Sequence, residues 1–197
     1  MNEPWQLSVT GPESYERYQV PSVFGPLAEL FLQYVRVKEG QRVLDVACGT
    51  GIVARRVAEA LGPAGSVVGT DLNAGMLEVA AANSQPGKMN VEWRQGNATA
   101  LPCSNDEFDV VLCQQGLQFI PDKNEALYEM WRVLKPGGLV GLCVWRGIEH
   151  SPCHMAISAA LADHVDADLA KRFEAPFSFG SLDKLHSALS DAGLDRK

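Results

Sequence analysis

In the stretch VLDVACGTG an acid, Asp45, stands just ahead of two glycines, Gly49 and Gly51, and Ala54 completes a G-x-G-x-x-A spacing. A glycine turn between an apolar strand pattern and a helix lets a nucleotide approach the main chain and the helix N-terminus. A second acid, Asp71, follows about 20 residues on, near the spacing at which an acid meets ribose hydroxyls. Taken alone, the turn fits an NAD-linked oxidoreductase. Asp45 speaks against that reading, because a carboxylate at the strand exit repels a pyrophosphate. It suits a phosphate-free nucleotide with a cation at its amino-acid end, such as S-adenosylmethionine, which carries an adenosine, a sulfonium and an ammonium.

Methyl transfer from a sulfonium is an in-line displacement with an activated leaving group. Holding nucleophile and methyl in a near-attack geometry can supply about 7–11 kcal/mol of the barrier. A general base is needed only where the acceptor must lose a proton. His150 and His154, in the segment RGIEHSPCH, are the candidates for that base, and Tyr15 and Tyr18, in the arm SYERYQVPS, are placed to close over a site. The competing readings are solvated surface histidines and an arm that simply packs on the sheet.

These residues need elements to position them. From Gln41 the hydrophobic period changes repeatedly, which predicts βα units and a parallel sheet covered on both faces. RVLDV reads as the first strand and IVARRVAEAL as a helix, with Ile52, Val53, Val57, Ala60 and Leu61 inward and Arg55, Arg56 and Glu59 toward water. SVVGTDL, NVEWRQ and FDVVLC follow as strands, with AGMLEVAAAN as the helix after the second. NEALYEMWRVLKPGG predicts a helix with Leu127, Met130, Trp131 and Leu134 on one face, stopped at Pro136 and its glycines, before the strand LVGLCVW. Ahead of the first strand, Leu27, Leu30, Phe31, Tyr34 and Val35 mark a helix. After Trp145 come a loop, the helix HMAISAALADHV, and the helix SLDKLHSALSDAG between Ser181 as N-cap and Gly193.

Five segments in order, VLDVACGTG, VVGTDLNAGML, GNATALP, FDVVLCQQGLQF and RVLKPGGLVGLCVW, resemble the class I S-adenosylmethionine-dependent methyltransferases. Within them the likeness is to the group related to ubiquinone and menaquinone biosynthesis methyltransferases (methyltransferase type 11). The resemblance runs from Arg42 to Arg146. It implies a Rossmann-like, doubly wound α/β sheet with parallel strands in the order 3-2-1-4-5. Two further strands normally complete that sheet, and this sequence does not supply them. The chain then divides into an N-terminal arm and helix over 1–40, a cofactor-binding core over 41–146 and a helical C-terminal segment over 147–197. On this reading the chain is a truncated form, or a partner subunit or the last helices cover the exposed edge.

Position by position, the resemblance implies that Asp45, Ala47, Gly49 and Gly51 border the methionine moiety, and that Asp71 accepts from both ribose hydroxyls. It places Leu72 and Met76 beside the adenine, Asn97 and Ala98 at its edge, and Gln114 and Gln115 at the methionine end. Two residues depart from the pattern. Ala47 stands at the family's first glycine, a change expected to cost little, and Asn97 replaces an aspartate, keeping donor and acceptor but losing charge. Other readings stay open: Asp71 as a turn former, Asn97 as the shaper of its loop, Gln114 and Gln115 as solvated loop residues, Met76 as core filler.

The chain of 197 residues carries a net charge of -7 and no long Lys/Arg run, which disfavours nucleic acid as a partner. No apolar run approaches the roughly 18 residues of a membrane span, and no signal segment opens the chain, so a cytoplasmic location is expected. Five cysteines without a CxxC pair argue for reduced thiols, not a disulfide framework or a metal cluster. The expected function is methylation of a small-molecule acceptor, with O, N or C transfer open and no metal. The alternatives are an NAD-linked oxidoreductase and a non-catalytic S-adenosylmethionine-binding protein. A homo-oligomer through the exposed sheet edge is the expected assembly.

Overall fold

A computed structural model describes residues 11–84 and 90–194. The first ten residues of the expected arm and the last three of the chain lie outside the described residues. A short helix α1 (Gly11–Ser14) runs into a π-helical stretch, Tyr15–Phe24, and then into α2 (Gly25–Val35). The sheet and its crossovers follow: β1 (Arg42–Val46), α3 (Ile52–Leu61), β2 (Ser66–Asp71), α4 (Ala74–Asn83), β3 (Val91–Gln95), β4 (Phe108–Gln114), α5 (Lys123–Arg132) and β5 (Leu134–Cys143). Three helices end the described chain: α6 (Pro152–His164), α7 (Ala167–Glu174) and α8 (Leu182–Asp191).

All five strands are parallel and lie in the order β3-β2-β1-β4-β5, as expected. The central strand β1 is apolar on both faces because both are covered. Val43 packs with Val57, Leu61 and Phe31 on the side of α2 and α3, while Leu44 and Val46 pack with Leu127 and Met130 on the side of α5. Two of the crossover helices, α4 and α5, begin where short polar side chains cap them. Asn73 accepts from Gly75 N at 2.9 Å ahead of α4, and Asp122 accepts from Glu125 N at 3.0 Å ahead of α5. These caps fix where each strand hands the chain to its helix, and so place the loops at the C-terminal ends of the strands.

Several local expectations are corrected. Helix α5 ends at Arg132, and KPGG is drawn into β5, which starts at Leu134 and stops at Cys143, short of Trp145. The pairing with β4 explains this: Phe108 faces Leu134 but Val110 already faces Leu139, so the KPGG residues form a bulge within the strand. Leu134 is thus buried as a strand residue, and Trp131 is only half-buried. On α2, Ala28, Phe31 and Val35 face the core, while Leu27, Leu30 and Tyr34 line an open apolar groove of about 490 Å³ against Leu139–Cys143 of β5. On α3, Ala60 is exposed and Arg55 is buried, the reverse of the expected stripe, because the N-terminal arm covers the Arg55 side. Helix α7 falls in a stretch with no predicted element, and Ser181 begins α8 without a side-chain cap bond. Among the described residues no strand follows β5, which forms one edge of the sheet.

Candidate functional site

Asp45 leaves β1 almost fully buried, 1% exposed, beside Gly69 of β2. Its Oδ2 accepts from Ala54 N, in the first turn of α3, at 3.0 Å. The acid thereby caps a helix whose own N-cap residue, Gly51 at a φ of +82°, has no side chain to offer. Burial pushes the Asp45 pKa up to about 8, with the Ala54 amide opposing and the charge of Asp71 adding to the rise. Cys48, in the same turn, is held well above the usual thiol range by burial and by Asp45.

Asp71 ends β2 half-buried, and both of its oxygens meet main-chain amides. Oδ2 accepts from Gly49 N at 2.8 Å and Oδ1 from Asn73 N at 2.9 Å. Burial raises its pKa against those two hydrogen bonds. The glycine turn and the strand-two acid are therefore one hydrogen-bonded unit. Both carboxylates stay within it with lone pairs left for a ligand's donors.

The turn is shaped by strain and by a tryptophan. Ala47 adopts a φ of +54°, the left-handed region, which costs an alanine about 1–2 kcal/mol, so the substitution at the first glycine position is not the cheap change expected. Trp93 of β3 lies across both neighbouring glycines: a Cβ on Gly51 would fall 2.3 Å from Cη2, and one on Gly69 2.3 Å from Cζ3. The Cβ direction of Gly51 is thus taken up by packing, whereas that of Gly49 points toward Tyr15, whose Cε1 and Oη would lie 3.8 Å away.

The remaining expected residues divide. Gln114, at the end of β4, donates from Nε2 to Phe24 O at 3.2 Å, and its Oε1 is buried with no hydrogen-bond partner. Gln115, at a φ of +58°, is buried, with Nε2 directed at Cys143 Sγ and Oε1 accepting from Gln118 Nε2 at 2.8 Å. Neither is the solvated loop residue of the bland reading. Asn97 is exposed, and its Oδ1 accepts from Thr99 N at 3.1 Å, a local turn that shapes the GNATALP loop. The loop is carried to Asp71 through Gly96 N, which donates to Asp71 O at 3.0 Å, and Ala98 packs against the core. Leu72, next to Asp71 in the chain, is exposed, and Met76, in the first turn of α4, is half-buried.

The candidates for a base do not converge on the turn. His150 Nε2 accepts from Arg146 Nη2 at 3.0 Å on the surface, since a guanidinium only donates. His154 sits in an aromatic group, its ring centroid 5.0 Å from that of Phe177 and 5.8 Å from that of Phe173, with Nδ1 2.6 Å from Ser151 Oγ. Tyr18 is exposed under Arg17, whereas Tyr15 stacks on Phe24 at 5.0 Å and reaches the turn. Burial and the charges of Asp71, Glu16 and Asp45 hold its phenol above the ordinary range. Of the two arm tyrosines, Tyr15 is the one that lies at the turn.

Residues 28–160 match the ubiE/COQ5 methyltransferase family, which is more than half of the chain. The chain belongs to that family. Its relatives include the demethylmenaquinone methyltransferase of Listeria welshimeri, 34% identical over 175 residues covering 83% of this chain and 74% of the relative. The enzyme of the same name from Lactococcus lactis is 45% identical over 106 residues, 53% of this chain and 42% of that relative. The chain thus spans under half the length of the Lactococcus relative. Among solved structures, the YcgJ protein of Bacillus subtilis superposes with a TM-score of 0.62 at 26% identity, covering 84% of this chain and 66% of that one. A methyltransferase of Aquifex aeolicus, described as dependent on S-adenosylmethionine, shares the fold with a TM-score of 0.63 at 21% identity, over 80% and 88% of the two chains.

S-adenosyl-L-methionine is the cofactor that this family and fold imply, and the residues present fit it. Two carboxylates and the unpartnered Oε1 of Gln114 surround a glycine turn, a set of acceptors suited to a ligand rich in donors and carrying a cation. Among the described residues there is no His/Cys/Asp/Glu group able to hold a metal. No helix there is long and apolar enough to cross a membrane.

Three residues around the turn escaped the sequence reading: Arg55, Glu16 and Trp93. Arg55 and Glu16 stand 39 positions apart, and no local pattern pairs them. Trp93 did leave a signal: in the parallel register Gly69 lies opposite Trp93, a small residue beside a large one, visible once the two strands are aligned.

Proposed function

We propose that this chain binds S-adenosyl-L-methionine and transfers its methyl group to a small-molecule acceptor. The observation that carries the reading is Asp45. A pyrophosphate ligand would need the free amides at the start of α3, and the Ala54 amide is already held by a buried carboxylate. A phosphate there would meet the Asp71 carboxylate and push Asp45 further toward its neutral form, whereas a ligand with an ammonium or sulfonium favours the anion of both.

On this reading Asp71 receives the ribose hydroxyls and keeps the glycine turn in place through Gly49. Asp45, with Gln114, faces the amino-acid end, and Tyr15 covers the turn. The cofactor supplies an activated methyl, so the chain's part is to bind, orient and exclude water. The segment after β5 carries an aromatic group, Trp145, His154, Phe173 and Phe177, with the Trp145 and Phe177 rings 6.2 Å apart, and this group is the part of the chain suited to an aromatic acceptor. The relatives' names support demethylmenaquinone or its reduced form as the acceptor class, and the aromatic group is compatible with it. The five thiols, all unpaired, support a reducing compartment, the cytoplasm. Self-association through the β5 edge belongs to the same reading, supported by the apolar groove against α2, and light scattering measures it.

Calorimetry tests the cofactor assignment. Micromolar binding of S-adenosylmethionine or S-adenosylhomocysteine, with none of NAD, is the expected result; NAD binding without the sulfonium ligand overturns it. Transfer of labelled methyl to reduced demethylmenaquinone tests the acceptor, and turnover restricted to other small molecules would reject it.

A further inference from the structure

The N-terminal arm touches each part of the candidate site in turn. A Cβ on Gly75 of α4 would lie 3.4 Å from Pro12 Cγ, Tyr15 lies over Gly49, and Phe24 O accepts from Gln114 at the end of β4. One charged pair ties the arm to the body between these points. Glu16 Oε1 meets Arg55 Nη2 at 2.8 Å, with only 20% and 10% of the two side chains exposed. The same guanidinium donates from Nη1 to Thr50 O, inside the glycine turn.

A largely buried arginine on α3 has no role in a generic crossover helix, since lysine and arginine are almost never buried unless paired. Here its two ends join two things that are otherwise separate, the arm and the turn. Removing one partner of such a pair strands the other charge away from water, so breaking the contact is costly. Glu16 Oε2 is itself buried without a hydrogen-bond partner, so Glu16 depends on Arg55 for its satisfaction.

We propose that Glu16 is a positioning residue: by clamping Arg55 it holds Tyr15 closed over the glycine turn, so that the Glu16–Arg55 pair sets how fast the nucleotide exchanges. The proposal rests on the cofactor reading given above. Glu16 touches neither the glycine turn nor Asp71 directly and acts through Arg55 and through its neighbour Tyr15. Breaking the pair frees the arm without removing an acceptor from the cofactor site.

Glu16→Ala and the milder Glu16→Gln are compared with the parent by two measurements. Hydrogen exchange of residues 15–24 is followed in the ligand-free protein, and S-adenosylhomocysteine release is timed by stopped-flow competition. Glu16→Ala should lose protection in the arm and release ligand roughly tenfold faster, because such changes act mainly on dissociation. Glu16→Gln, which keeps an acceptor for Arg55, should fall between the two. In turnover, KM for S-adenosylmethionine should rise while kcat at saturation stays close to the parent's, a split that general destabilisation would not produce. Unchanged arm protection in Glu16→Ala, or a loosened arm with parental release, overturns the proposal. A parent that binds neither ligand defeats the cofactor reading and the coupling together, and is distinguished from failure of the clamp alone by the parent's own titration. If Glu16→Ala fails to fold, the decision falls to Glu16→Gln, whose parental release rate would overturn the proposal.

Discussion

Asp45 Oδ2 accepts from Ala54 N at 3.0 Å, so the acid at the exit of β1 is a helix cap and a deeply buried group at once. The two roles pull its protonation in opposite directions. The cap favours the anion, and burial favours the neutral acid more strongly.

The contribution of Asp45 to stability should therefore fall as pH rises from about 4 to about 8. The folded pKa of Asp45 is raised, so the fold is favoured below the unfolded value near 3.9, and this contribution is lost as pH climbs through the folded value of about 8. Thermal melts between pH 5 and 8 should show the slope, and Asp45→Asn, which can still accept from Ala54, should flatten it. A slope equally steep in Asp45→Asn would mean that other groups produce it. A cationic ligand favours the anion, so binding near pH 7 should release a proton, read as a dependence of calorimetric heat on buffer ionisation.

Asp71→Ala should weaken cofactor binding by roughly 1.5–3 kcal/mol, about tenfold to over a hundredfold, through loss of an ionised acceptor. The melting temperature should drop too, because Gly49 N and Asn73 N both lose their acceptor. Asp71→Asn should be milder on both counts. Titration calorimetry on a variant shown to be folded is decisive: parental affinity in Asp71→Ala would move the ribose contact elsewhere.

Ala47→Gly should stabilise the fold, by up to about 1 kcal/mol, since relief of left-handed strain exceeds the added flexibility of the unfolded chain. Urea denaturation reads the difference as a higher midpoint at the same slope. A lower midpoint would show that the alanine methyl, which packs toward Gly116, contributes more than the strain costs.

Gly69→Ala should destabilise by about 1–3 kcal/mol, because its Cβ would meet Trp93 at 2.3 Å and the same indole is also in close contact with Gly51 of the turn. Tryptophan fluorescence and cofactor affinity should change together in this variant. An unchanged turn and unchanged stability would show that the indole can move aside freely.

The pattern of the chain alone determined the sheet and the acids that line its edge. A strand buried on both faces must be apolar throughout, as Val43, Leu44 and Val46 are, and a turn that meets a nucleotide needs glycines after it; both requirements are local and appear as spacing. The dual use of Asp45, the placing of Tyr15 in preference to Tyr18, and the burial of Arg55 were decided only by tertiary structure. Each depends on segments far apart in the chain meeting in space, as Glu16 meets Arg55 across 39 positions, and a helical stripe cannot tell water from a covering arm. The KPGG stretch shows the same limit from the other side. Its glycines and proline signal a turn, and Gly137 does take a φ of +75°, but pairing with β4 on either side, at Leu134 and from Leu139, encloses that turn within the strand as a bulge.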